Sequence, residues 1–176
     1  MIEIVAYDAT WPARFEVEAD RLRQALGALA LRVDHHGSTA VPGLGAKPII
    51  DIQISVKNLQ PLSAYGTPLQ SLGYLHLPDA DDSFCPFFYR PRTRPHTHHV
   101  HIVEHGGVEE SRTLAFRDYL RDHRDAADDY ERLKRHLAAE ISDGDPESQE
   151  RYASAKTEFV EQLIGVAFQS GYPTDS

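Results

Sequence analysis

A short run of β-branched residues between positions 49 and 56 constrains the fold of this chain more than any other feature. Its apolar members are Ile49, Ile50, Ile52, Ile54 and Val56. Between them stand Asp51, Gln53 and Ser55. Successive side chains of a strand point to opposite faces of the sheet, so the three polar residues share one face. The segment therefore predicts a buried strand with one apolar face and one face that carries a carboxylate, an amide and a hydroxyl.

The rest of the pattern predicts an α+β fold, in which helices cover a mixed β-sheet and a helical region follows it. Further strands are expected at 2–7, 31–36, 74–77, 84–90 and 98–104. Helices are expected from the N-cap candidate Thr10 to about 27–30, then at 59–72, 109–122, 124–142 and 147–168. The turn Asp143-Gly144-Asp145-Pro146 separates the last two. No linker composition interrupts the 176 residues, so we expect one domain with a core at about 1–107 and a helical tail at about 108–170.

Composition and charge narrow the classes of function. The formal net charge of -9 at pH 7 argues against a surface that coats nucleic acid in general, because such a surface is basic. No run of about 18 apolar residues occurs, so no membrane span is expected. Cys85 is the only cysteine, and the N-terminal residues lack the long apolar run of a signal peptide. The expected location is the cytoplasm.

A Gly-Ser turn precedes the central strand and suggests an anion site. Gly37 permits a positive φ, so its N–H and that of Ser38 can point at an anion, and the Ser38 hydroxyl adds a donor. Asp51 on the strand offers hard oxygens suited to Mg²⁺, the usual companion of bound phosphates. Lys47 lies between them in the sequence as a candidate counter-charge for a phosphate. The combination points to phosphate binding, and a plain turn is the alternative interpretation.

Several motifs resemble one family, in the same order, along nearly the whole chain. The most distinctive are His36-Gly37-Ser38-Thr39-Ala40-Val41-Pro42-Gly43-Leu44 and Lys47-Pro48-Ile49-Ile50-Asp51-Ile52. Others are Tyr7-Asp8-x-x-Trp11-Pro12-x-x-Phe15, His99-Val100-His101, Phe116-Arg117-Asp118-Tyr119, Tyr130-x-x-Leu133-Lys134 and Tyr152-x-x-x-Lys156. These blocks resemble the GrpB family, which is itself similar to the polymerase-β-like nucleotidyltransferase superfamily.

The superfamily pattern is a Gly-Ser turn followed, about a dozen residues later, by two acidic residues with one apolar residue between them on a strand. The resemblance implies that Gly37 and Ser38, with Thr39 beside them in the turn, hold the phosphates of a nucleoside triphosphate. It implies that Asp51 binds a divalent ion, Mg²⁺ or Mn²⁺, and takes part in catalysis. Gln53 stands at the second acidic position. Because an amide brings no charge, binding of paired metal ions should be weakened.

Five histidines fall between residues 96 and 105. On a strand, His99 and His101 share one face, while His96 and His98 share the opposite face. His99 and His101 match the family pattern where the superfamily has its third acid. We therefore predict that both join Asp51 as metal ligands and that His101 is a candidate catalytic residue. Imidazole ligands would favour Zn²⁺, Ni²⁺ or Mn²⁺ over Mg²⁺, and the alternative is that these histidines only satisfy hydrogen bonds.

The helical tail supplies further candidates. Arg117 and Lys134 lie inside matched motifs and are predicted to bind phosphates if the tail closes over the sheet. The alternative for Arg117 is an ion pair with Asp118. Tyr130, one helical turn before Lys134, is interpreted as structural. Of the two histidines before the turn, we expect His36 to point inward.

Three hypotheses about function follow. The first is an enzyme that transfers a nucleotidyl group from a nucleoside triphosphate, with a divalent ion at Asp51. The second is a catalytically degenerate module that binds a nucleotide or a coenzyme. A phosphorylated adenine-type ligand suits this module, because some relatives are fused to an enzyme that completes coenzyme A synthesis. The third is a metalloprotein that uses the histidine cluster, and the sequence leaves the acceptor open.

Overall fold

The computed structural model describes residues 2–141 and 145–174. Its helices and strands, in chain order, are α1 Trp11–Leu26, β1 Arg32–His36, β2 Ile50–Val56, α2 Ser63–Ser71, β3 Leu75–Leu77, β4 Phe87–Arg90, β5 His98–Glu104, α3 Val108–Asp122, α4 Arg124–Glu140, α5 Pro146–Ser154 and α6 Thr157–Gln169. Short 3-10 helices lie at Gly27–Leu29, Ser38–Ala40 and Ala80–Ser83. The predicted α+β class is confirmed, with helices around one mixed sheet.

The sheet has five strands in the order β1-β2-β5-β4-β3. Only β2 and β5 run parallel, and the other neighbouring strands are antiparallel. The registers place His36 opposite Asp51 on one side and His99 opposite Asp51 on the other. Gln53 lies opposite His101 in the same way. The centre of the sheet therefore collects the predicted carboxylate, the amide and three histidines on neighbouring strands.

The apolar face of β2 is buried against α1 and α2. Ile50, Ile52 and Ile54 are inaccessible to solvent. They belong to one hydrophobic cluster whose larger helical members are Trp11, Phe15, Leu22, Tyr65 and Leu69. Removing this much apolar surface from water is the main contribution that holds β2 at the centre of the sheet.

The polar face of β2 is covered by α3 and is tied to it by Glu110. The buried Glu110 carboxylate accepts hydrogen bonds from the Ser55 hydroxyl and from the Gly106 N–H, the latter at 2.6 Å. His105 Nδ1 lies 3.0 Å from the same carboxylate. Burial acts to raise the pKa of Glu110, but these hydrogen bonds outweigh it and lower the pKa. A charged, fully bonded carboxylate thus fixes the start of α3 on the strand.

The later helices dock on the segment between the Gly-Ser turn and β2. Gly45 is held from both sides: its N–H donates to Glu131 Oε2 at 2.7 Å, and its carbonyl accepts from Lys134 Nζ at 2.5 Å. Arg121 Nε donates to the Ala40 carbonyl at 2.9 Å. A second hydrophobic cluster lies beneath these bonds and contains Val41, Leu44, Leu120, Ala127 and Tyr130. The helical region therefore forms one wall of the space beside the Gly-Ser turn.

Some predicted elements differ from those observed. The strand expected at 2–7 is wrong, since this segment forms only an isolated bridge between Val5 and Ala46. Thr10 precedes α1, but its side chain makes no capping hydrogen bond. The helix expected at 124–142 ends at Glu140 as described, and its last residue and part of the following turn, 142–144, lie outside the described residues.

The single helix expected at 147–168 is also wrong, because it breaks between α5 and α6 at residues 155–156. The two halves pack against different surfaces. Tyr152 of α5 is buried with Ile2 and Leu137, whereas Phe159 and Leu163 of α6 pack against the cluster beneath the turn. One straight helix cannot bury both faces. Over the described ranges, no helix is long and apolar enough to cross a membrane.

Replacing Glu110 should test the anchor between β2 and α3. We expect Glu110→Ala to lower the free energy of unfolding by about 2–4 kcal/mol, because Ser55 and the Gly106 N–H lose a charged partner in a buried place. Urea denaturation at pH 7 measures this change. Glu109→Ala, which removes a less buried neighbour on the same helix, should cost about 1 kcal/mol or less. Equal losses in the two variants would contradict the anchor.

Candidate functional site

The Gly-Ser turn lies directly on the carboxylate of Asp51. Gly37 has a φ of +69°, a conformation that L side chains rarely adopt. A Cβ built on Gly37 would lie 2.5 Å from Asp51 Oδ2. Glycine is therefore required at this position both by backbone conformation and by space. The predicted proximity of the turn and the acidic strand is observed.

Asp51 is half-buried and surrounded by imidazole rings. Its Oδ1 lies 3.2 Å from His99 Nδ1. Burial acts to raise the pKa of Asp51, but the hydrogen bond and charge of His99, with smaller effects of His36 and His101, hold that pKa well below its usual range. Burial lowers the pKa of His36 to about 3 and that of His101 to about 4. At neutral pH this part of the site contains a carboxylate beside two uncharged rings.

His96 lies beside His99 rather than on the opposite face of β5, so that part of the sequence prediction is wrong. His96 Nδ1 is 3.1 Å from His99 Nε2. The strand begins only at His98, so the alternation of a strand does not apply to His96. Its ring stacks on Tyr89, with centroids 4.4 Å apart and planes 18° apart. Asp51, His99 and His96 thus form a continuous chain of polar contacts.

A cavity of about 360 Å³ opens above the turn and Asp51. Its lining comes from the turn, the sheet and the helical region: Gly37, Ser38, Ala46, Lys47, Ile49, Asp51, Phe87, His99, His101, Phe116, Tyr130, Lys134, Tyr152, Ala153 and Lys156. The whole chain has four lysines, and all except Lys57 line this cavity. Among the residues that the structure describes, Asp51 is the one carboxylate in the lining. The cavity is therefore cationic inside a protein whose net charge is -9.

The three lysines are packed among aromatic rings and are poorly solvated. Lys134 Nζ donates to Ser38 Oγ at 2.9 Å and lies 4.7 Å from the centre of the Tyr130 ring. Burial, and then the charge of Lys156, lower the pKa of Lys134 to about 7. Burial, and then the charge of Lys47, lower the pKa of Lys156 to about 8. The protein thus holds ammonium groups where their charged forms are disfavoured.

Tyr152 lies between the other two lysines. Its ring centre is 4.8 Å from Lys47 Nζ and 4.4 Å from Lys156 Nζ. Its buried hydroxyl has no hydrogen-bond partner within the part of the chain that the structure describes. Lys47 also donates to Gln149 Oε1 at 3.2 Å. Tyr152 of α5 therefore completes the cavity, and Gln149, one helical turn earlier, holds Lys47 at its edge.

Sequence reasoning missed Lys156 and Tyr152 as site residues and interpreted Tyr130 as structural. All three line the cavity. Tyr130 is also buried in the cluster beneath the turn, so it serves both purposes. The usable signal was the repeated pattern of a tyrosine four residues before a lysine, at Tyr130–Lys134 and again at Tyr152–Lys156. Each pair places an ammonium group over an aromatic face.

Two predicted phosphate-binding residues lie outside the cavity. Arg117 is buried and bonded to Asp118 at 2.7 Å and to the His35 carbonyl at 3.1 Å, so the ion-pair alternative describes it. Thr39 is buried and donates to the Ile49 carbonyl at 3.2 Å. These bonds hold the loop and leave neither side chain facing the cavity.

The two histidines before the turn have different roles. His36 does point toward the site, where its ring packs edge-on against His101 with centroids 5.0 Å apart. The histidine that holds the turn is His35, whose Nε2 lies 2.9 Å from Thr39 Oγ1. The His35 ring also stacks on Phe15 of α1. Both rings are buried, on opposite faces of β1.

Gln53 does not face the cavity. It is inaccessible to solvent, its Oε1 accepts from the Thr113 hydroxyl, and its Nε2 lies 3.5 Å from the Glu110 carbonyl. The second acidic position of the superfamily is thus occupied by a residue that holds α3. Across residues 2–141 and 145–174, no group of three or more His, Cys, Asp or Glu side chains is arranged to hold a metal ion. Binding of a metal ion by Asp51, His99 and His101 therefore stays a prediction.

Comparisons with known proteins agree with this architecture. The family model described as GrpB protein matches residues 1–165. The chain belongs to the GrpB family. It is 38% identical to the UPF0157 protein BH1888 of Halalkalibacterium halodurans, over 93% of this chain and 80% of that protein. It is 34% identical to the UPF0157 protein YqkA of Bacillus subtilis, over 90% of this chain but only 45% of that longer protein.

A third relative, from Mycolicibacterium paratuberculosis, carries the name dephospho-CoA kinase. The identity is 35%, over 82% of this chain and 41% of that protein. The chain therefore spans less than half the length of two of these three relatives. The region that this chain matches is thus only part of each of those two longer proteins.

Solved structures give the same family and a wider fold class. The crystal structure of the conserved protein GrpB from Enterococcus faecalis superposes with a TM-score of 0.85 and 32% identity, over 96% of this chain and 98% of that one. The Cid1 poly(U) polymerase, solved with Mg²⁺ and 3′-dATP, superposes with a TM-score of 0.52 and 14% identity, over 77% of this chain and 43% of that one. The latter likeness shows that the fold resembles that of nucleotidyltransferases.

Placing an acid at position 53 should test whether this side chain serves to hold α3. We expect Gln53→Glu to lower the free energy of unfolding by about 2–4 kcal/mol at pH 7, because a buried carboxylate would meet the Glu110 carbonyl. Burial raises the pKa of the new carboxyl above its unfolded value of about 4.3. The loss should therefore grow as pH rises from about 4 to about 8, as urea denaturation can measure.

The matched control is Gln53→Met, which removes the same hydrogen bonds without adding a charge. Its cost should be about 1–2 kcal/mol and independent of pH. If Gln53→Glu proves as stable as the original protein at pH 7, then position 53 is free to serve as an acidic ligand and our interpretation is wrong.

Proposed function

We propose that this protein binds the polyphosphate chain of a nucleoside triphosphate in the cavity above Asp51. The observation that carries the proposal is the gathering of three of the four lysines around one carboxylate. Lysine is a common phosphate ligand, and its ammonium group acts as a point charge that tolerates varied geometry. A bound polyphosphate would give each of these cations an anionic partner.

Energetics support an anion as the occupant. Burying an ammonium group without a charged partner is unfavourable, and the lowered pKa values of Lys134 and Lys156 reflect that cost. A bound anion offsets the cost and restores the charged forms. Groups placed in this way lower the stability of the free protein, and such an arrangement is typical of functional sites.

The lining of the cavity offers two kinds of surface, one suited to phosphates and one suited to a nucleobase. Ser38 and Lys134 meet at the turn and suit the terminal phosphates. Phe116 and Tyr130, whose rings pack edge-on with centroids 5.3 Å apart, offer apolar surface to a nucleobase. Inorganic phosphate would use only the first part. A nucleotide would use both and should bind more tightly.

A divalent ion enters the proposal only as a companion of the phosphates. Mg²⁺ or Mn²⁺ bound to them would find Asp51 as a carboxylate ligand, with His99 and His101 beside it for a softer ion. The donor set does not fit a pair of ions, because Gln53 is committed to α3. The lysines therefore supply most of the countercharge that a second ion would provide.

Nucleotidyl transfer is the second candidate function. The position of Asp51 favours it, since the carboxylate lies against the phosphate-binding turn within a nucleotidyltransferase-like fold. With one carboxylate, transfer should be slower than in enzymes that use paired ions. The alternative of a module that binds without turnover includes coenzyme-type ligands, suggested by the relative named dephospho-CoA kinase. A nucleoside triphosphate labelled at its α-phosphate distinguishes the two functions. Nucleotidyl transfer would move the label to an acceptor, whereas a binding module would leave it in the triphosphate.

Lys156 offers the clearest test of binding, because no hydrogen bond of its side chain is described and its removal should not loosen the turn. We expect Lys156→Met to weaken binding of tripolyphosphate and of ATP by about tenfold or more, equivalent to about 1.4 kcal/mol. Isothermal titration calorimetry in the presence of EDTA measures this without metal ions. Affinity that persists in EDTA is part of the expected result.

Lys57→Met is the matched control, since Lys57 is the exposed lysine that does not line the cavity. This substitution should change the affinity for tripolyphosphate and that for ATP by less than about twofold. Absence of binding in the unchanged protein, or an equal loss in the two variants, would refute the proposal. Binding that requires Mg²⁺ in full would instead assign the main countercharge to the ion.

Affinity should also depend on pH through the same lysines. The other charged groups that face Lys134 are Lys156, Glu131, Arg135 and Asp51. With pKa values of about 7 and about 8, Lys134 and Lys156 lose protons in the free protein as pH rises and must regain them when a polyanion binds. The logarithm of the affinity should fall between pH 7 and 9 by up to about one per pH unit for each lysine.

Protonation of tripolyphosphate itself changes over this range, so the comparison with Lys156→Met is the informative quantity. The variant should show a shallower fall with pH than the unchanged protein, because one proton fewer is taken up. Identical pH profiles in the two proteins would exclude Lys156 as the source of the effect.

A further inference from the structure

A second cavity of about 400 Å³ adjoins the first and shares Lys47 and Ile49 with it. Its other lining residues are Ile2, Glu3, Pro48, Arg94, Pro95, His96 and Gln149. The sheet edge and α5 thus enclose two neighbouring spaces, with Lys47 at their boundary. The first is cationic and aromatic, and the second combines apolar walls with two cations and one imidazole.

The chain of contacts from Asp51 leads from the first cavity into the second. Asp51 Oδ2 faces the Gly37 turn, and Asp51 Oδ1 faces His99. His99 in turn contacts His96, which lines the second cavity. Asp51 therefore lies between the turn proposed to hold the phosphates and the second cavity. This order sets the direction from which another molecule could approach the bound nucleotide.

We propose that the second cavity binds the acceptor of nucleotidyl transfer, a small molecule that carries a hydroxyl or amine beside His96 and an anionic group beside Arg94. This inference rests on the proposed nucleotide binding and on the second candidate function, nucleotidyl transfer, and adds to them the site and the chemical class of the second substrate. In-line displacement at phosphorus places the attacking and leaving groups on opposite sides. Asp51 lines the first cavity, which meets the second at Lys47 and Ile49, so a phosphate beside Asp51 would have the turn on one side and the second cavity on the other.

The tautomers of His99 and His96 explain why the acceptor should carry a hydroxyl or amine. When both rings are neutral, the carboxylate accepts from His99 Nδ1–H, so His99 Nε2 must accept from His96 Nδ1–H. His96 Nε2 is then left with a lone pair, and no hydrogen bond to it is described. A donor group is its natural partner. Stacking on Tyr89 fixes the direction of the ring.

Arg94 explains why the acceptor should also carry an anionic group. In the described ranges 2–141 and 145–174 no ion pair of Arg94 occurs, although its charge acts on both Lys47 and His96. Glu3 also lines the cavity, and solvent screens its charge and that of Arg94 alike, because both are exposed. Lys47 is the second cation of the lining and leaves the cavity with an excess of positive charge. The apolar side chains Ile2, Pro48 and Pro95 suit a hydrocarbon portion between the two polar ends.

The transfer itself would need no further reactant. The acceptor oxygen or nitrogen forms a bond to the α-phosphorus, and the bond from the α-phosphorus to its bridging oxygen breaks. The electron pair of that bond leaves with pyrophosphate, which stays among the lysines until it is released. The acceptor proton passes to solvent in the open cavity.

Three matched probes test the second cavity in protein saturated with tripolyphosphate. They are ω-hydroxyhexanoate with both groups, hexanoate with the anion alone and hexanol with the hydroxyl alone. Histidine side-chain NMR signals report binding, and the His96 signal is assigned by its loss in His96→Phe, which keeps a ring on Tyr89. We expect ω-hydroxyhexanoate to shift this signal and to bind at least fivefold more tightly than either other probe.

The variants separate the two ends of the probe. Arg94→Gln should remove the advantage over hexanol, whereas Arg92→Gln, in the same loop but outside the cavity lining, should not. His96→Phe should remove the advantage over hexanoate, as measured by calorimetry, with tripolyphosphate affinity unchanged. Equal affinity for the three probes, or no binding at tens of millimolar while tripolyphosphate still binds, would overturn this inference alone. Loss of tripolyphosphate binding in the unchanged protein would instead refute the proposed function.

Discussion

The site depends on the way α4 holds the backbone of Gly45. The N–H and the carbonyl of this one residue are bonded to Glu131 and Lys134, which lie one helical turn apart. Such side-chain bonds to a loop backbone fix position as well as orientation, because both polar groups of the peptide are satisfied. These two hydrogen bonds fix the position of the helical region relative to the Gly-Ser turn. The same Lys134 ammonium group also donates to Ser38, so this contact joins α4, the loop and the turn at one wall of the cavity.

The features nearest to β2 were the ones that the sequence could predict. Alternation alone indicated that Asp51 and Gln53 share a face, and the Gly-Ser turn before the strand was expected beside the Asp51 carboxylate, where it lies. Both predictions depend on local geometry, which a strand repeats every two residues. The family motif added Lys134, since its distance of 96 residues from Ser38 has no local signature. Its place in the cavity lining agrees with the motif and leaves its role as a proposal.

What the sequence could not predict involves partners distant in the chain. Gln53 appeared to be a missing metal ligand because its partner Thr113 lies 60 residues away. Arg117 appeared to be a phosphate ligand because the His35 carbonyl that it binds lies 82 residues away. The break after α5 contains neither Gly nor Pro and follows from packing on two surfaces. In each case tertiary contacts, rather than residue type, decide what the side chain does.

The charge of the cavity bears on how the proposed phosphate site would work with a single carboxylate in a nucleotidyltransferase-like fold. Paired divalent ions held by two or three acids leave a net positive field toward the phosphates. Three lysines around Asp51, when protonated, also leave two net positive charges. Because fields are local, the overall net charge of -9 does not cancel this. Fixed ammonium groups could thus replace part of the metal charge, which would free position 53 to hold α3. In such a site the affinity for phosphates is built into the helical region, and dependence on metal ions should fall accordingly.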